Sequence, residues 1–200
     1  MNEQLRPGRN RPTTQAAEGV PRWRWTTAEL IRLTDLGVFT AEDRMELIGG
    51  EIVPMSPVGR RHELVADELA QYFTPLLPKT VRLTTERQLN LSDETYTKPD
   101  IWLWPASFKA PDVRGDTVLL IVEVAQTSLK FDTTTKAALY AAHDVRDYWV
   151  INADTLETKV HQSPGPNGYA DLCTLPASEP LVPLLVAQLS VCMATLDLGE

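Results

Sequence analysis

The segment over residues 118–125 constrains the fold more than any other part of the chain. It reads Val-Leu-Leu-Ile-Val-Glu-Val-Ala, so apolar residues stand at successive positions rather than at alternate ones. A strand with two apolar faces is typical of the centre of a sheet that helices cover on both sides. The segment therefore predicts an α/β protein with a buried central sheet.

One charged residue, Glu123, interrupts this apolar segment. A carboxylate in a buried strand costs free energy unless it is paired, hydrogen-bonded or bound to a cation. The ordinary alternative is that Glu123 lies at the exposed end of the strand, next to a basic residue. If the strand is central, Glu123 is a candidate functional group.

Asp100 presents a similar case, because it follows Pro99 and precedes the apolar run over 101–104. A turn aspartate at the start of a strand is the ordinary alternative. Two carboxylates on adjacent central strands would offer hard oxygen ligands to Mg²⁺, with a backbone carbonyl and waters as further ligands. Such an ion polarises a phosphodiester and activates water. A third acid, such as Glu46, could orient a water or a second ion.

The remaining pattern alternates helices and strands. Residues 44–53 predict a hairpin with a Gly49-Gly50 loop, in which Glu46 pairs with Val53 and Ile48 with Glu51. Helices are predicted over 26–36, 61–77, 133–142 (with Asp132 as N-cap) and 186–196, and strands over 81–85, 88–91, 98–104, 147–152, 158–162 and 169–174.

Charge divides the chain into two parts. The first 24 residues contain five arginines and two glutamates and carry a charge of +3. Because the net charge of the whole chain is −8, the remaining residues carry −11. We expect residues 1–22 to form a disordered basic arm and residues 23–200 to form a single domain. An acidic body argues against nonspecific coating of nucleic acid, but a bound divalent cation would reverse the local field.

Several chemistries lack their motifs. The sequence contains no GxxxxGK[ST], GxGxxG, GxSxG or HExxH, and its three histidines never form a metal-binding pair at helical spacing. It also contains no apolar run of about 18 residues, the length of a membrane span. We therefore expect a cytoplasmic protein without a membrane partner, whose chemistry depends on carboxylates and lysines.

The residues that carry this chemistry resemble a known family. They are Glu46-Leu47-Ile48-Gly49-Gly50-Glu51, Met55-Ser56-Pro57, His62, Lys98-Pro99-Asp100, Val122-Glu123-Val124, Asp132, Lys136, Tyr140 and Asp147-Tyr148-Trp149-Val150. In their order and spacing they resemble the Uma-two family of restriction-endonuclease-like proteins, in the PD-(D/E)xK nuclease superfamily. The resemblance spans residues 25–196.

The resemblance implies a restriction-endonuclease-like fold, with a central mixed β-sheet flanked by helices, and Mg²⁺-dependent hydrolysis of phosphodiesters, with Mn²⁺ as an alternative ion. It implies a metal site on Asp100, Glu123 and the Val124 carbonyl, with Glu46 as an accessory acidic residue. His62 stands at a family-like position, where we expect it to pack at a helix end.

The sequence departs from the superfamily pattern at Ala125, where the pattern has a lysine. In Uma-two relatives a lysine on the following helix is thought to substitute, and Lys136 matches that place. Lys98 is a rival, because strand alternation puts it on the same face as Asp100. Lys130, between strand and helix, ranks third. Asp132 and Lys136 at i, i+4 spacing are otherwise typical of an exposed ion pair.

The leading hypothesis is a Mg²⁺-dependent endonuclease acting on DNA, with Asp100, Glu123, Glu46 and Lys136 as its catalytic residues. A homodimer would suit it, because cutting both strands usually needs two sites. One alternative is a catalytically degenerate nuclease-like module for binding or assembly, which the missing lysine motivates. Another is a metal-dependent phosphohydrolase on small nucleotides, which an acidic surface would favour.

Overall fold

The computed structural model describes residues 22–40, 43–55 and 57–199. The described residues belong to two units, one within Met1–Met55 and Ser92–Thr97, the other within Ser56–Leu91 and Lys98–Glu200. The basic arm expected over 1–22 lies outside the described residues except for Arg22. In the parts of the chain that are described, no helix is long and apolar enough to cross a membrane.

The described residues of the first unit form a helix and three strands. Helix α1 (Thr27–Asp35) begins with a capping box, in which Thr26 and Glu29 bond to each other's backbone amides. Strands β1 (Met45–Ile48) and β2 (Glu51–Pro54) form the predicted hairpin, with Glu46 opposite Val53 and Ile48 opposite Glu51. Its two glycines adopt positive φ angles, 56° and 82°, which the tight turn requires.

The second unit is built on a mixed sheet. Within the described residues its six strands lie in the order β10, β9, β8, β7, β6, β3. Strands β7 and β8 are parallel and the other neighbours are antiparallel. The bounds are β3 Val81–Thr85, β6 Ile101–Pro105, β7 Leu120–Ala125, β8 Asp147–Asn152, β9 Thr158–Gly165 and β10 Gly168–Leu175. Strands β4 (Leu89–Ser92) and β5 (Thr95–Thr97) precede β6, and β5 pairs with β1.

Helices cover both faces of this sheet, as the apolar pattern of β7 predicts. All six residues of β7 are buried. Its even-numbered residues pack with helix α2 (Arg60–Phe73) in one core. Ile121 and Ala125 pack in the other core with helix α4 (Ala137–Ala141). Glu123 therefore belongs to the α4 face of the central strand.

Two predicted helices differ from the structure. The helix after β7 begins earlier than expected, with α3 (Leu129–Phe131), and Asp132 is not its N-cap but opens a π-helical turn (Asp132–Lys136) that leads into α4. No long helix covers 186–196. Short 3₁₀ turns flank strand β12 (Val191–Cys192), which pairs with β11 (Pro180–Leu181). Leu189, Val191 and Met193 are buried at alternate positions, a strand period rather than a helical one.

Candidate active site

Asp100, immediately before β6, and Glu123, on β7, lie beside each other near the centre of the sheet. Ile101 pairs with Val122 in the antiparallel register of β6 and β7. Extended by one residue, the same register sets Asp100 beside Glu123, and directly opposed residues share a face of the sheet. Both acids are buried. The expectation that they lie together on one face therefore agrees with the strand register.

Hydrogen bonds fix the carboxylate of Asp100. Its Oδ2 accepts a hydrogen bond from the Val124 backbone N–H (2.6 Å) and lies 3.0 Å from Nε2 of His62. Because a carboxylate only accepts, Nε2 must carry the proton in this contact. His62 was expected to pack at a helix end, but the structure places Nε2 of its ring against Asp100, one of the two acids expected to bind the metal.

The carboxylate of Glu123 is matched by a cation and a hydroxyl. Its Oε1 accepts hydrogen bonds from Nζ of Lys136 and from the hydroxyl of Tyr140, both at 2.9 Å. Nζ of Lys136 also lies 4.0 Å from Oδ1 of Asp132. Glu123, Asp132 and Lys136 are each at most 5% exposed, so the Asp132–Lys136 pair is a buried one rather than a surface one.

The π-helical turn carries Lys136 to this position. In a π-helix the bonds span five residues, which widens the turn and rotates the residues after it relative to a regular α-helix. Asp132 begins the turn and Lys136 ends it, and both side chains are buried. Single π turns inside helices occur frequently at functional sites. The sequence signal was the shared spacing of Asp132, Lys136 and Tyr140, which predicted a common face but not the turn.

Tyr148 lies beside these acids. Burial raises its pKa well above the ordinary value, and the negative charges of Glu123, Asp132 and Asp100 raise it further. The hydroxyl therefore stays protonated and donates to the main-chain carbonyl of Asp132 at 3.0 Å. An aromatic residue in a strand more often packs in the core, so the sequence pattern did not indicate this hydroxyl contact.

The other predicted residues lie at different places. Glu46 is buried on β1 in the first unit, and its accessory role stays a prediction. Lys98 is half-buried just before Asp100, and Lys130 is exposed. The Val124 amide binds Asp100, while the role of its carbonyl as a ligand stays a prediction. Across the described residues, no group of three or more His, Cys, Asp or Glu side chains forms a metal-binding cluster.

The fold and the site together place the protein in a class, that of restriction-endonuclease-like folds. The sheet is mixed, with helices on both faces, and one of its two central acids accepts a hydrogen bond from a lysine. The model of the family Uma2, described as "Putative restriction endonuclease", matches residues 27–197. The chain therefore belongs to the Uma2 family, which confirms the resemblance seen in the sequence.

A solved structure shares this fold. A "putative nuclease belonging to DUF820" from Anabaena variabilis superposes with a TM-score of 0.68 at 16% sequence identity. The match covers 87% of this chain and 97% of that one. No curated protein sequence matches the chain.

Proposed function

We propose that this protein is a Mg²⁺-dependent endonuclease that hydrolyses phosphodiester bonds in DNA. The observation that carries the proposal is the pair of buried acids, Asp100 immediately before β6 and Glu123 on β7, each with one oxygen held by two donors. A fold shared with a "putative nuclease" and membership of Uma2 support the same chemistry.

The donor set fits a divalent cation. Oδ2 of Asp100 takes the hydrogen bonds that the described residues make to this carboxylate, so Oδ1 is available to a ligand. Mg²⁺ is usually held by one or two carboxylates and several waters, so a site without three protein acids is suitable. Asp100, Glu123 and the Val124 carbonyl would hold the ion, and Mn²⁺ would suit the same oxygens. When bound, the ion polarises the phosphodiester and lowers the pKa of a bound water.

The chain's own residues then have separate tasks. Tyr140 and Lys136 hold Oε1 of Glu123 in place. The ammonium of Lys136 stabilises negative charge that develops on the phosphate in the transition state. Lys98 is the alternative for this role, because it lies two residues before Asp100. A homodimer, with one site for each DNA strand, completes the proposal.

Nicking of supercoiled plasmid tests this function. With Mg²⁺ or Mn²⁺ we expect the wild type to convert supercoiled DNA into open-circular and linear forms. Asp100→Asn and Glu123→Gln should lose at least about 100-fold in rate, because each removes a charge that the reaction requires. Glu179→Gln is the matched control, since Glu179 is exposed. Equal cleavage by all four proteins would refute the assignment.

A second function is favoured by the Glu123–Lys136 ion pair. The ammonium already balances the carboxylate at 2.9 Å. A nuclease-like module that no longer cuts DNA but binds a partner would keep such a pair for stability alone. Titration with Mn²⁺ separates the two functions, since a degenerate site gives no binding that depends on Asp100.

The net charge of −8 favours a third function, hydrolysis of small nucleotides, which would show as nucleotide turnover without plasmid nicking.

A further inference from the structure

We propose that His62 is a positioning residue that holds Asp100 in the orientation needed to bind the metal, an inference that rests on the proposed function. Nε2 of His62 lies 3.0 Å from Oδ2 of Asp100. The same oxygen accepts from Val124, and the main-chain carbonyl of Asp100 accepts from the Glu86 N–H at 3.2 Å. The side-chain carboxylate and the main-chain carbonyl of Asp100 are thus both held by hydrogen bonds from neighbouring segments.

Helix α2 brings the imidazole to this point from outside the sheet. His62 is in the first turn of α2, and the preceding residue anchors that turn, because Nε of Arg61 donates to the carbonyl of Ala153 at 3.0 Å. At the N-cap, a Cβ on Gly59 would lie 2.3 Å from Oε1 of Gln126, so the turn sits closely against the segment after β7. These contacts therefore anchor the first turn of the helix that carries His62.

Two hydrogen-bond donors on the same oxygen fix the orientation of the Asp100 carboxylate. A carboxylate held by Val124 alone can rotate about its last bond and present either oxygen, or both, to a cation. With His62 also on Oδ2, the carboxylate is fixed and Oδ1 is the oxygen presented to the ion. Partners that orient a metal ligand in this way typically change metal affinity by about 10- to 100-fold when removed.

Calorimetric titration of the full-length chain with Mn²⁺ alone tests the inference. His62→Leu keeps most of the side-chain volume but removes the donor, and we expect a 10- to 100-fold weaker affinity with unchanged stoichiometry. His62→Gln places an amide N–H near the position of Nε2 and should restore affinity close to that of the wild type. At saturating Mn²⁺, plasmid nicking by His62→Leu should regain most of the wild-type kcat, because the residue acts through metal occupancy.

The outcomes separate this inference from the proposed function. If the wild type does not bind Mn²⁺, both fail. If the wild type binds but His62→Leu binds equally well, only the role of His62 is wrong. If His62→Gln is as defective as Asp100→Asn, then His62 is itself a ligand and the positioning role is overturned. Should His62→Leu fail to fold, His62→Asn replaces it, because its shorter amide stops short of Oδ2 and the same loss is expected.

Discussion

At the scale of single residues, three buried carboxylates of the second unit each have their own hydrogen-bond donors. Glu123 has an ammonium and a hydroxyl, Asp100 has an imidazole and an amide, and Asp147 accepts from Trp149, Gln162 and the Leu184 amide. Removing one member of a buried pair costs more than the pair contributes, because the partner's charge stays behind. Single substitutions here are therefore informative.

Lys136→Met should destabilise the protein and make its stability depend on metal. Methionine keeps the length of the side chain but leaves Glu123 without the ammonium, at a cost of about 3 kcal/mol. Mn²⁺ should recover part of this loss, because the cation replaces the missing charge. Urea unfolding with and without Mn²⁺ measures both effects. Lys79→Met, at an exposed position, is the control and should change stability by less than about 0.5 kcal/mol.

Asp147 should give the protein a distinct pH dependence. Burial raises the pKa of its carboxyl, and the three hydrogen bonds lower it by less. Because the folded-state pKa lies above the unfolded one, the stability that Asp147 contributes is full below its ordinary pKa and falls as pH rises through the folded value. The stability difference between the wild type and Asp147→Asn should therefore shrink from about pH 4 towards neutrality. Urea unfolding across that range measures it, and a difference that grows with pH would contradict it.

At the scale of elements, the helix after β7 matters most to the site. Its π turn ends at Lys136, and α4 then presents Tyr140 to the same carboxylate oxygen. If the same residues formed a regular α-helix from Leu129 onwards, the side chains after the turn would be rotated around the helix axis, because each residue of offset corresponds to about 100°. The turn therefore determines which side chains reach Glu123.

Deleting Thr135 should remove the π turn and leave the site intact. A π turn is an α-helical turn with one extra residue, so the deletion allows a regular helix in which Lys136 and Tyr140 keep their joint position on Glu123. We expect plasmid nicking close to the wild-type rate with a nearly unchanged circular dichroism spectrum. Thr135→Ala keeps the chain length, changes only an exposed side chain and should also stay active. Loss of nicking in the deletion alone would show that the extra residue of the π turn is itself required.

The elements also show how far the sequence could predict the structure. The Gly49-Gly50 loop fixed the register of the hairpin, because the loop length determines which residues pair. The apolar segment over 118–125 predicted a covered central strand. The π turn was not predictable, since it depends on burying Lys136 against Glu123, a contact distant in sequence. The contact of His62 with Asp100 was missed for the same reason. The helix predicted over 186–196 was wrong because the period of its apolar residues was interpreted as helical.

At the scale of the whole molecule, the acidic surplus makes the proposed cation a stabilising ligand. Under the proposed function, the two adjacent buried acids of this chain, whose net charge is −8, would bind a divalent ion in the folded state and lose that site on unfolding. Ligand binding to the folded state alone raises stability by RT ln(1 + [L]/Kd).

Mn²⁺ should therefore raise the melting temperature of the wild type. At about 100 times Kd the linkage gives about 2.7 kcal/mol, a shift that differential scanning calorimetry detects. Asp100→Asn should lose the shift, and Glu179→Gln should keep it. A shift of equal size in Asp100→Asn would mean that the ion binds elsewhere on the acidic surface.

The ammonium of Lys136 next to Glu123 has a consequence for the life of the protein in a cell. Because the chain supplies its own counterion, it can reach its native state before any metal is available. Under the proposed function, a shortage of divalent ions would then stop the reaction without unfolding the protein, and activity would return as soon as the supply recovered.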